Sequence, residues 1–313
     1  MSTYLVTGGA GFIGSHIVKE LLRRGERVRV LDNFSTGRRE NTAPFLAQIE
    51  LLEGDLRDAE ICRRAVKEVD YVLHQGAIPS VQRSVDDPFT SNDVNVNGTL
   101  NLLIAARDAG VKRLVYASSS SVYGDSPTLP KHEGMIPQPK SPYAVSKLSA
   151  EYYCQVFTEV YGLETVSLRY FNVFGSRQDP ASQYSAVIPI FITAILQGKP
   201  VTVHGDGLQS RDFTHVSNNV RANLLAATAP GAAGRVFNIA CGKRYTLLEL
   251  IDVLADIMDT RVEIVHTASR PGDVKHSLAD ISQARGALGY KEGLDFKGGL
   301  QRTVAWYQDH RRV

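Results

Sequence analysis

The sequence predicts an α/β protein: a doubly wound parallel sheet with helices on both faces, followed by a smaller C-terminal α/β lobe. Three observations predict it. Short β-rich runs alternate with helical patterns through the first half of the 313-residue chain. A glycine-rich turn, Thr7-Gly8-Gly9-Ala10-Gly11-Phe12-Ile13-Gly14, joins the first strand pattern to the first helix pattern. After Arg169 the alternation loosens into helices separated by loops rich in Gly, Pro, Ser and Gln. With 43% of its residues hydrophobic, a chain of this length can bury a sizeable core.

In chain order, strands are expected at Tyr4–Thr7, Arg27–Asp32, Ile49–Glu53, Tyr71–Gln75, Lys112–Ser118 and Thr165–Arg169. Between them, helical patterns span Phe12–Arg24, Pro88–Asp108 and Pro142–Tyr161, stopped by Gly25, Gly110 and Gly162, since glycine accepts the left-handed turn that ends a helix. Ser141-Pro142 marks a helix start, because serine caps free N–H groups and proline fits the first turn. Later helices are expected at Ala186–Gln197, Val216–Thr228, Thr246–Met258 and Phe296–His310, with loops at Gly175–Ser185, Gly205–Ser210 and Ser269–Gly272. The division falls near residue 172, giving a cofactor domain over 1–172 and a second lobe over 173–313 that lends segments back to the sheet.

A net charge of +2 gives no reason to expect nucleic acid or an acidic membrane as partner, so an anionic ligand has to be met by local cations. Cys62, Cys154 and Cys241 are dispersed and odd in number, which argues against a disulfide framework or a zinc cluster and suits a reducing cytosol. No apolar run approaches the ~18 residues that span a bilayer, and the first strand starts almost at the initiator, so neither a signal peptide nor a metal site is expected.

Gly8, Gly11 and Gly14 follow a strand and open an amphipathic helix, the context in which glycines let a backbone approach a diphosphate and a helix offers its N–H groups to it. This is the Rossmann dinucleotide site. Asp32 ends the second strand, 18 residues after Gly14. A carboxylate there accepts ribose hydroxyls and repels a 2′-phosphate, favouring NAD over NADP, although a turn residue before Asn33 is the plainer alternative. Arg38 and Arg39 lie close enough to soften that discrimination. Asp55 stands either where an adenine contact belongs or as a helix cap.

Tyr143 and Lys147 are four apart, on one face of the helix that follows the fifth strand. The spacing alone is weak: with 13 tyrosines in the chain, chance yields about half of one such pair. Its place beside the ligand crevice gives it meaning. Tyrosine titrates near ~10, so a base working at pH 7 needs ~4 kcal/mol of help. A lysine ammonium ~5 Å away at an effective dielectric of ~20 supplies ~3 kcal/mol, and a cationic nicotinamide ring as much again. Ser118-Ser119-Ser120-Ser121 ends the fifth strand, where a hydroxyl can hold a substrate oxygen; a polar turn is the plainer reading.

Taken together, Gly8–Gly14, Asp32-Asn33, Asn95-Val96-Asn97-Gly98-Thr99, Ser119 with Tyr143-Ala144-Val145-Ser146-Lys147, Arg169-Tyr170-Phe171-Asn172 and Ser210-Arg211-Asp212-Phe213 resemble the extended short-chain dehydrogenases/reductases, specifically nucleotide-sugar 4-epimerases. The resemblance runs essentially the whole length. It implies NAD as cofactor, Ser119, Tyr143 and Lys147 as catalytic residues, and a homodimer built on helices near 88–109 and 142–161. It places Phe12, Ile13, Asn33, Ser35, Leu56, Gln75, Ala77, Asn95 and Tyr170 along the cofactor with the glycines, Asp32 and Asp55. Along a UDP-sugar it places Ser80, Val81, Asn172, Val187, Val203, Arg211, Arg270, Asp273 and Ser277, with Arg211 and Arg270 on the diphosphate. Arg169 is open to a role in the sheet instead.

Nucleotide-sugar dehydratases of the group carry acidic residues directly after the serine or threonine; this chain has Ser120 and Ser121, so the resemblance favours reversible oxidation at carbon 4 over elimination of water. The residue matching Ser277 faces the sugar's 2-substituent, where a tyrosine crowds out an N-acetyl group and a serine leaves room. His276-Ser277-Leu278-Ala279-Asp280, with Tyr123-Gly124-Asp125, looks like the UDP-N-acetylglucosamine 4-epimerase subgroup; the alternative is a plain loop serine. A UDP-glucuronate epimerase, a decarboxylase, dehydratase or reductase of the same fold, and a non-catalytic NAD-sensing protein are the rival functions.

Overall fold

The first strand, β1 (Thr3–Thr7), is followed by helix α1 (Phe12–Arg23), and the alternation continues through β2 (Arg27–Asp32), α2 (Arg39–Thr42), β3 (Ile49–Glu53), α3 (Ala59–Val66) and β4 (Tyr71–His74). Three helices, α4 (Val81–Asp86), α5 (Pro88–Asn92) and α6 (Gly98–Asp108), then lead to β5 (Arg113–Ser119), α7 (Pro142–Tyr161) and β6 (Glu164–Tyr170). These elements come from a computed structural model that describes residues 1–179, 187–268 and 275–310.

The remaining chain does two jobs. Helix α9 (Val216–Thr228) and strand β11 (Arg235–Ile239) return to the main sheet, whose seven parallel strands run β11-β6-β5-β4-β1-β2-β3. The second lobe is built from α8 (Val187–Leu196), α10 (Leu247–Met258) and α12 (Phe296–Asp309), with β8 (Val201–His204) paired to β13 (Ile264–Thr267). Short ladders join it to the sheet's edge: β7 (Val173–Phe174) with β10 (Thr214–His215), and β9 (Ser210–Arg211) with β12 (Tyr245–Thr246). One more helix, α11 (Ser282–Leu288), packs beside β11.

Period-two alternation sends neighbouring strand residues to opposite cores. Leu5, Leu31, Val72 and Leu114 face the layer of α3, α6 and α7, while Tyr4, Val6, Val30, Leu73 and Val115 face α1 and α9. A third core under the second lobe gathers Phe174, Phe191, Phe213, Leu250, Phe296 and Leu300. β1 has β2 on one side and β4 on the other, so winding reverses there and a crevice opens at the strands' carboxyl ends.

Local chemistry explains the element ends. Ser141 Oγ accepts the Ala144 N–H at 3.1 Å, Pro142 opens α7, and Gly162 ends it at φ +72°. Thr246, expected as the first residue of a helix, is its cap, in a reciprocal pair with Glu249. The single helix expected over Pro88–Asp108 contains a π-helical turn at Asp93–Asn97, an inserted residue that the periodicity of apolar side chains does not register. Asp58 caps α3, so the carboxylate of Asp55 is not a helix cap.

Candidate active site

At the crevice, the glycine turn is shaped by close backbone contacts. Gly8 has φ +64°, and a Cβ on it would lie 2.8 Å from the Gly76 nitrogen. A Cβ on Gly14 would lie 2.1 Å from the Gly8 carbonyl oxygen, a distance no side chain can adopt. No side chain caps α1, so its first N–H groups are left to the cleft that Gly8, Gly11, Phe12, Ile13 and Gly14 line. That arrangement suits a dinucleotide's diphosphate.

Asp32 takes the turn role and also reaches the cleft. Its Oδ2 accepts the Ala10 N–H at 2.9 Å and its Oδ1 the Phe34 N–H at 2.8 Å, fixing the turn, while the carboxylate lines the cleft. Burial raises its pKa and the two backbone bonds oppose that rise. Both nearby cations are engaged by carboxylates: Arg38 pairs with Asp179, and Arg39 pairs with Glu53 at 2.7 Å and stacks over Phe34 at 4.0 Å. Asn33, Ser35, Leu56, Gln75, Ala77 and Tyr170 also line the cleft, and so does Asp55, whose acidity Arg57 strengthens to a pKa of about 2. Gln75, Tyr170 and Asn223 form a closed hydrogen-bonded knot in its floor.

Asn95 does not line the cleft. It sits behind it in the π-helical turn, where Oδ1 accepts the Ile78 N–H at 2.8 Å and Nδ2 donates to Ser146 Oγ at 3.0 Å. It thereby ties the loop after β4 to α7. Thr36, Gly76 and Ile78, which the sequence does not single out, line the cleft as well, and so does Ser118 of the serine run. Their signal was available: each lies at a strand's carboxyl end or within a few residues after it.

Ser119 closes β5 while Tyr143 and Lys147 come from the first turns of α7. Lys147 is buried; its Nζ donates to the Ala117 carbonyl at 3.0 Å and stands 5.9 Å from the centre of the Tyr143 ring. Desolvation lowers its pKa to about 8, so at pH 7 the ammonium keeps its charge. Burial raises the Tyr143 phenol above its ordinary value, and the hydrogen bond with Ser119 draws it back. Desolvation thus adds to the work that the neighbouring cation has to do.

A second cavity lies between α8, β8 and β9, and Asn172, Val187, Ile190, Phe191, Thr202, His204 and Arg211 are among its walls. Asn172 holds a left-handed φ of +35°, and its Nδ2 donates to Ser277 Oγ at 3.1 Å and to the Asp212 carbonyl at 3.2 Å. Four of the expected substrate residues stand outside both cavity linings, Ser277 among them, which meets the cavity only through its bond to Asn172. Val203 points into the second-lobe core, fully buried, because β8 alternates and gives Thr202 and His204 to the cavity. Ser80 and Val81 line neither cavity: Ser80 caps α4 by accepting the Arg83 N–H, Val81 is exposed, and Ile78 with Pro79 forms the wall. Arg270 and Asp273 lie outside the described residues.

Fold and cleft together define an α/β enzyme of the Rossmann class that binds a nicotinamide dinucleotide at the carboxyl end of its sheet. The chain belongs to the NAD dependent epimerase/dehydratase family, whose model matches residues 4–240, and NAD is its cofactor. It is similar to the UDP-N-acetylglucosamine 4-epimerase of Methanobrevibacter ruminantium, solved in complex with UDP-N-acetylmuramic acid (42% identity, 98% of each chain, TM-score 0.94). It is similar also to the UDP-glucose 4-epimerase of Thermus thermophilus in complex with NAD (39% identity, 98% of this chain and 99% of that one, TM-score 0.89). The dTDP-glucose 4,6-dehydratase of Streptomyces venezuelae, with NAD bound, matches at 35% identity over 99% of this chain and 98% of that one, with a TM-score of 0.90.

Gly14→Ala forces apart the turn that receives the diphosphate. The NAD released on denaturing the purified variant is expected to fall at least tenfold below the wild-type amount, about 1.4 kcal/mol or more of lost binding. Full NAD content in a folded Gly14→Ala variant would show that the dinucleotide does not depend on this turn.

Proposed function

We propose that this chain is a UDP-hexose 4-epimerase that interconverts UDP-N-acetylglucosamine and UDP-N-acetylgalactosamine and also accepts UDP-glucose and UDP-galactose. The observation that carries the reading is the joining of Ser119, Tyr143 and Lys147 at the cofactor cleft, with serines and no acid directly after Ser119. Ser121 Oγ donates to Ser119 Oγ at 2.9 Å, so that turn offers hydroxyls where elimination of water would need an acid.

Tyr143 takes the proton of the sugar's 4-hydroxyl, and Ser119 steadies the oxygen that becomes a carbonyl. Lys147, anchored on Ala117, holds positive charge beside the phenolate; across ~6 Å at an effective dielectric of ~20 this is worth ~3 kcal/mol. NAD, held in the cleft that Gly8, Gly11, Gly14 and Asp32 line, would supply a reversible hydride acceptor for carbon 4, so no net redox change would accumulate. The 4-keto sugar turns about its diphosphate link between the two transfers, and Tyr143 gives the proton back to the 4-oxygen as hydride returns to carbon 4.

Two features favour the N-acetylated substrate. Ser277 stands just behind the cavity lining, small and hydrogen-bonded to the cavity residue Asn172, so a larger side chain in its place would push toward the cavity. The relative from Methanobrevibacter ruminantium is itself a UDP-N-acetylglucosamine 4-epimerase. A homodimer accompanies the reading. Phe89 is 80% exposed and Val160 66%, and with Val85, Tyr152, Val156 and Tyr161 they leave an apolar stripe across α4, α5 and α7. Two copies related by a twofold axis bury it as a bundle of helices.

Purified protein incubated with UDP-N-acetylglucosamine and no added cofactor is expected to form UDP-N-acetylgalactosamine, followed by proton NMR. Absence of turnover of both this sugar and UDP-glucose, even with NAD restored, would sink the epimerase reading. Ser277→Tyr is expected to cost N-acetylated substrates about 100-fold in kcat/KM, or ~2.7 kcal/mol, while UDP-glucose is retained; equal loss of both removes the gate. Light scattering is expected to give twice the 34.3 kDa chain mass, and Val160→Glu to shift it toward one chain. A monomeric wild-type protein would refute the dimer.

A further inference from the structure

Beneath the catalytic residues lies an ion pair that the chemistry above does not use. Glu151 on α7 is fully buried, and the side chain of Arg169 on β6 is 4% exposed. Arg169 Nη2 donates to Glu151 Oε1 at 2.6 Å and Nε to Oε2 at 3.1 Å. The same Oε2 accepts the Ser118 hydroxyl at 2.6 Å. Arg169 also turns its guanidinium to the face of Tyr123, 4.7 Å from the ring centre.

The placement of these groups is specific. Ser118 and Arg169 are register partners on adjacent parallel strands, so their side chains project to the same face. Tyr143, Lys147 and Glu151 are spaced by four on one face of α7. One carboxylate therefore grips the ends of two strands and the helix at once, one residue before Ser119 on β5 and one before Tyr170 on β6. Stability alone is a poor account of such a pair, because desolvating two charges consumes much of their attraction and well-packed apolar side chains do as well or better. What an apolar pair does not supply is a directional tie.

We propose that the Glu151–Arg169 pair is a positioning device for catalysis: through Ser118 it fixes where the end of β5, with Ser119 and the Ala117 carbonyl, stands against Tyr143 and Lys147. The proposal rests on the reading of Tyr143 as the base. The Lys147 ammonium is placed by the Ala117 carbonyl, so any slip of β5 against α7 moves the cation relative to the phenol. A retreat of ~2 Å from ~6 Å, at an effective dielectric of ~20, raises the tyrosine's titration point by about 0.5 pH unit. From Tyr123 the contacts run on to the substrate side: its hydroxyl donates to Asn238 Oδ1 at 2.7 Å, and Asn238 Nδ2 donates to the Asp280 carbonyl, three residues beyond Ser277.

The test is the double variant Glu151→Met/Arg169→Met in the NAD-loaded enzyme, which removes both charges with side chains of fitting volume. Three quantities are measured: Tm, the ultraviolet titration of Tyr143 taken as the difference from Tyr143→Phe in the same background, and kcat with KM for the nucleotide sugar. The expected result is a Tm within a few degrees of wild type, a Tyr143 titration about 0.5 pH unit higher, and kcat lowered about tenfold or more with KM within about twofold. A folded double variant whose Tyr143 titration and kcat match wild type overturns the proposal. If the double variant does not fold, Ser118→Ala leaves the ion pair intact and cuts its tie to β5; the same upward shift is expected, and no shift overturns the proposal. A wild-type protein that turns over no nucleotide sugar refutes the epimerase reading alone, because the titration still reports on the clamp.

Discussion

A buried lysine ammonium needs an acceptor, and in this fold the acceptor is the Ala117 carbonyl near the end of β5. Much follows from that single bond. It sets the distance between the charge and the Tyr143 ring, and it ties that distance to the offset between β5 and α7. Desolvation brings the ammonium's pKa to about 8, low enough to show the strain of burial and high enough to keep the proton near neutrality. A lysine buried more deeply would lose its charge, and one more exposed would act through a higher dielectric and do less for the phenol.

The cofactor cleft obeys a second constraint, space. Where β1 and β4 end, backbone packs on backbone, Gly8 against Gly76 and Gly14 against Gly8, which is why side chains are missing there. The charges around the ribose position are arranged so that carboxylates outweigh cations. Asp32 faces the cleft, and Asp179 and Glu53 hold the two arginines that otherwise approach a phosphate. Asp179 belongs to the segment that follows β7, so the Arg38–Asp179 pair ties that segment to the cofactor cleft.

What the sequence disclosed, and what it withheld, follows physical lines. Strands flanked by glycines and the capped helix from Ser141 were legible because propensity, cap and stop all agree there. The glycine turn was legible because its chemistry is local in sequence. Val203 was assigned to the substrate by the resemblance alone; the strand Val201–His204, which shows that Thr202 and His204 face the cavity and Val203 the core, is too short to stand out in the sequence. Asn95, the π-helical turn around it and the return of Arg235–Ile239 to the sheet depend on contacts between residues far apart in the chain, as does the meeting of Asn172 with Ser277. Arg169 was open to a role in the sheet, and the structure gives it one, but the partner that explains it lies 18 residues away on another element.

A fold that appears in relatives named as epimerases and as a dehydratase cannot choose the reaction by itself. The part the family shares, a cleft for NAD, serves any chemistry that begins by oxidising carbon 4 of a sugar. Divergence has to come afterwards, from whichever side chains reach the neighbouring carbons. Here the turn after Ser119 is made of serines hydrogen-bonded to one another, which can hold an oxygen but are poor acids. On the proposed reading, in which Ser120 and Ser121 stand where a dehydratase would need an acid, the keto sugar is reduced, and stereochemistry then depends on whether it turns over before the hydride returns. In the epimerase proposed for this chain, Ser277, a small residue bonded to the cavity residue Asn172, is the position that would both admit a bulky 2-substituent and leave space for that rotation.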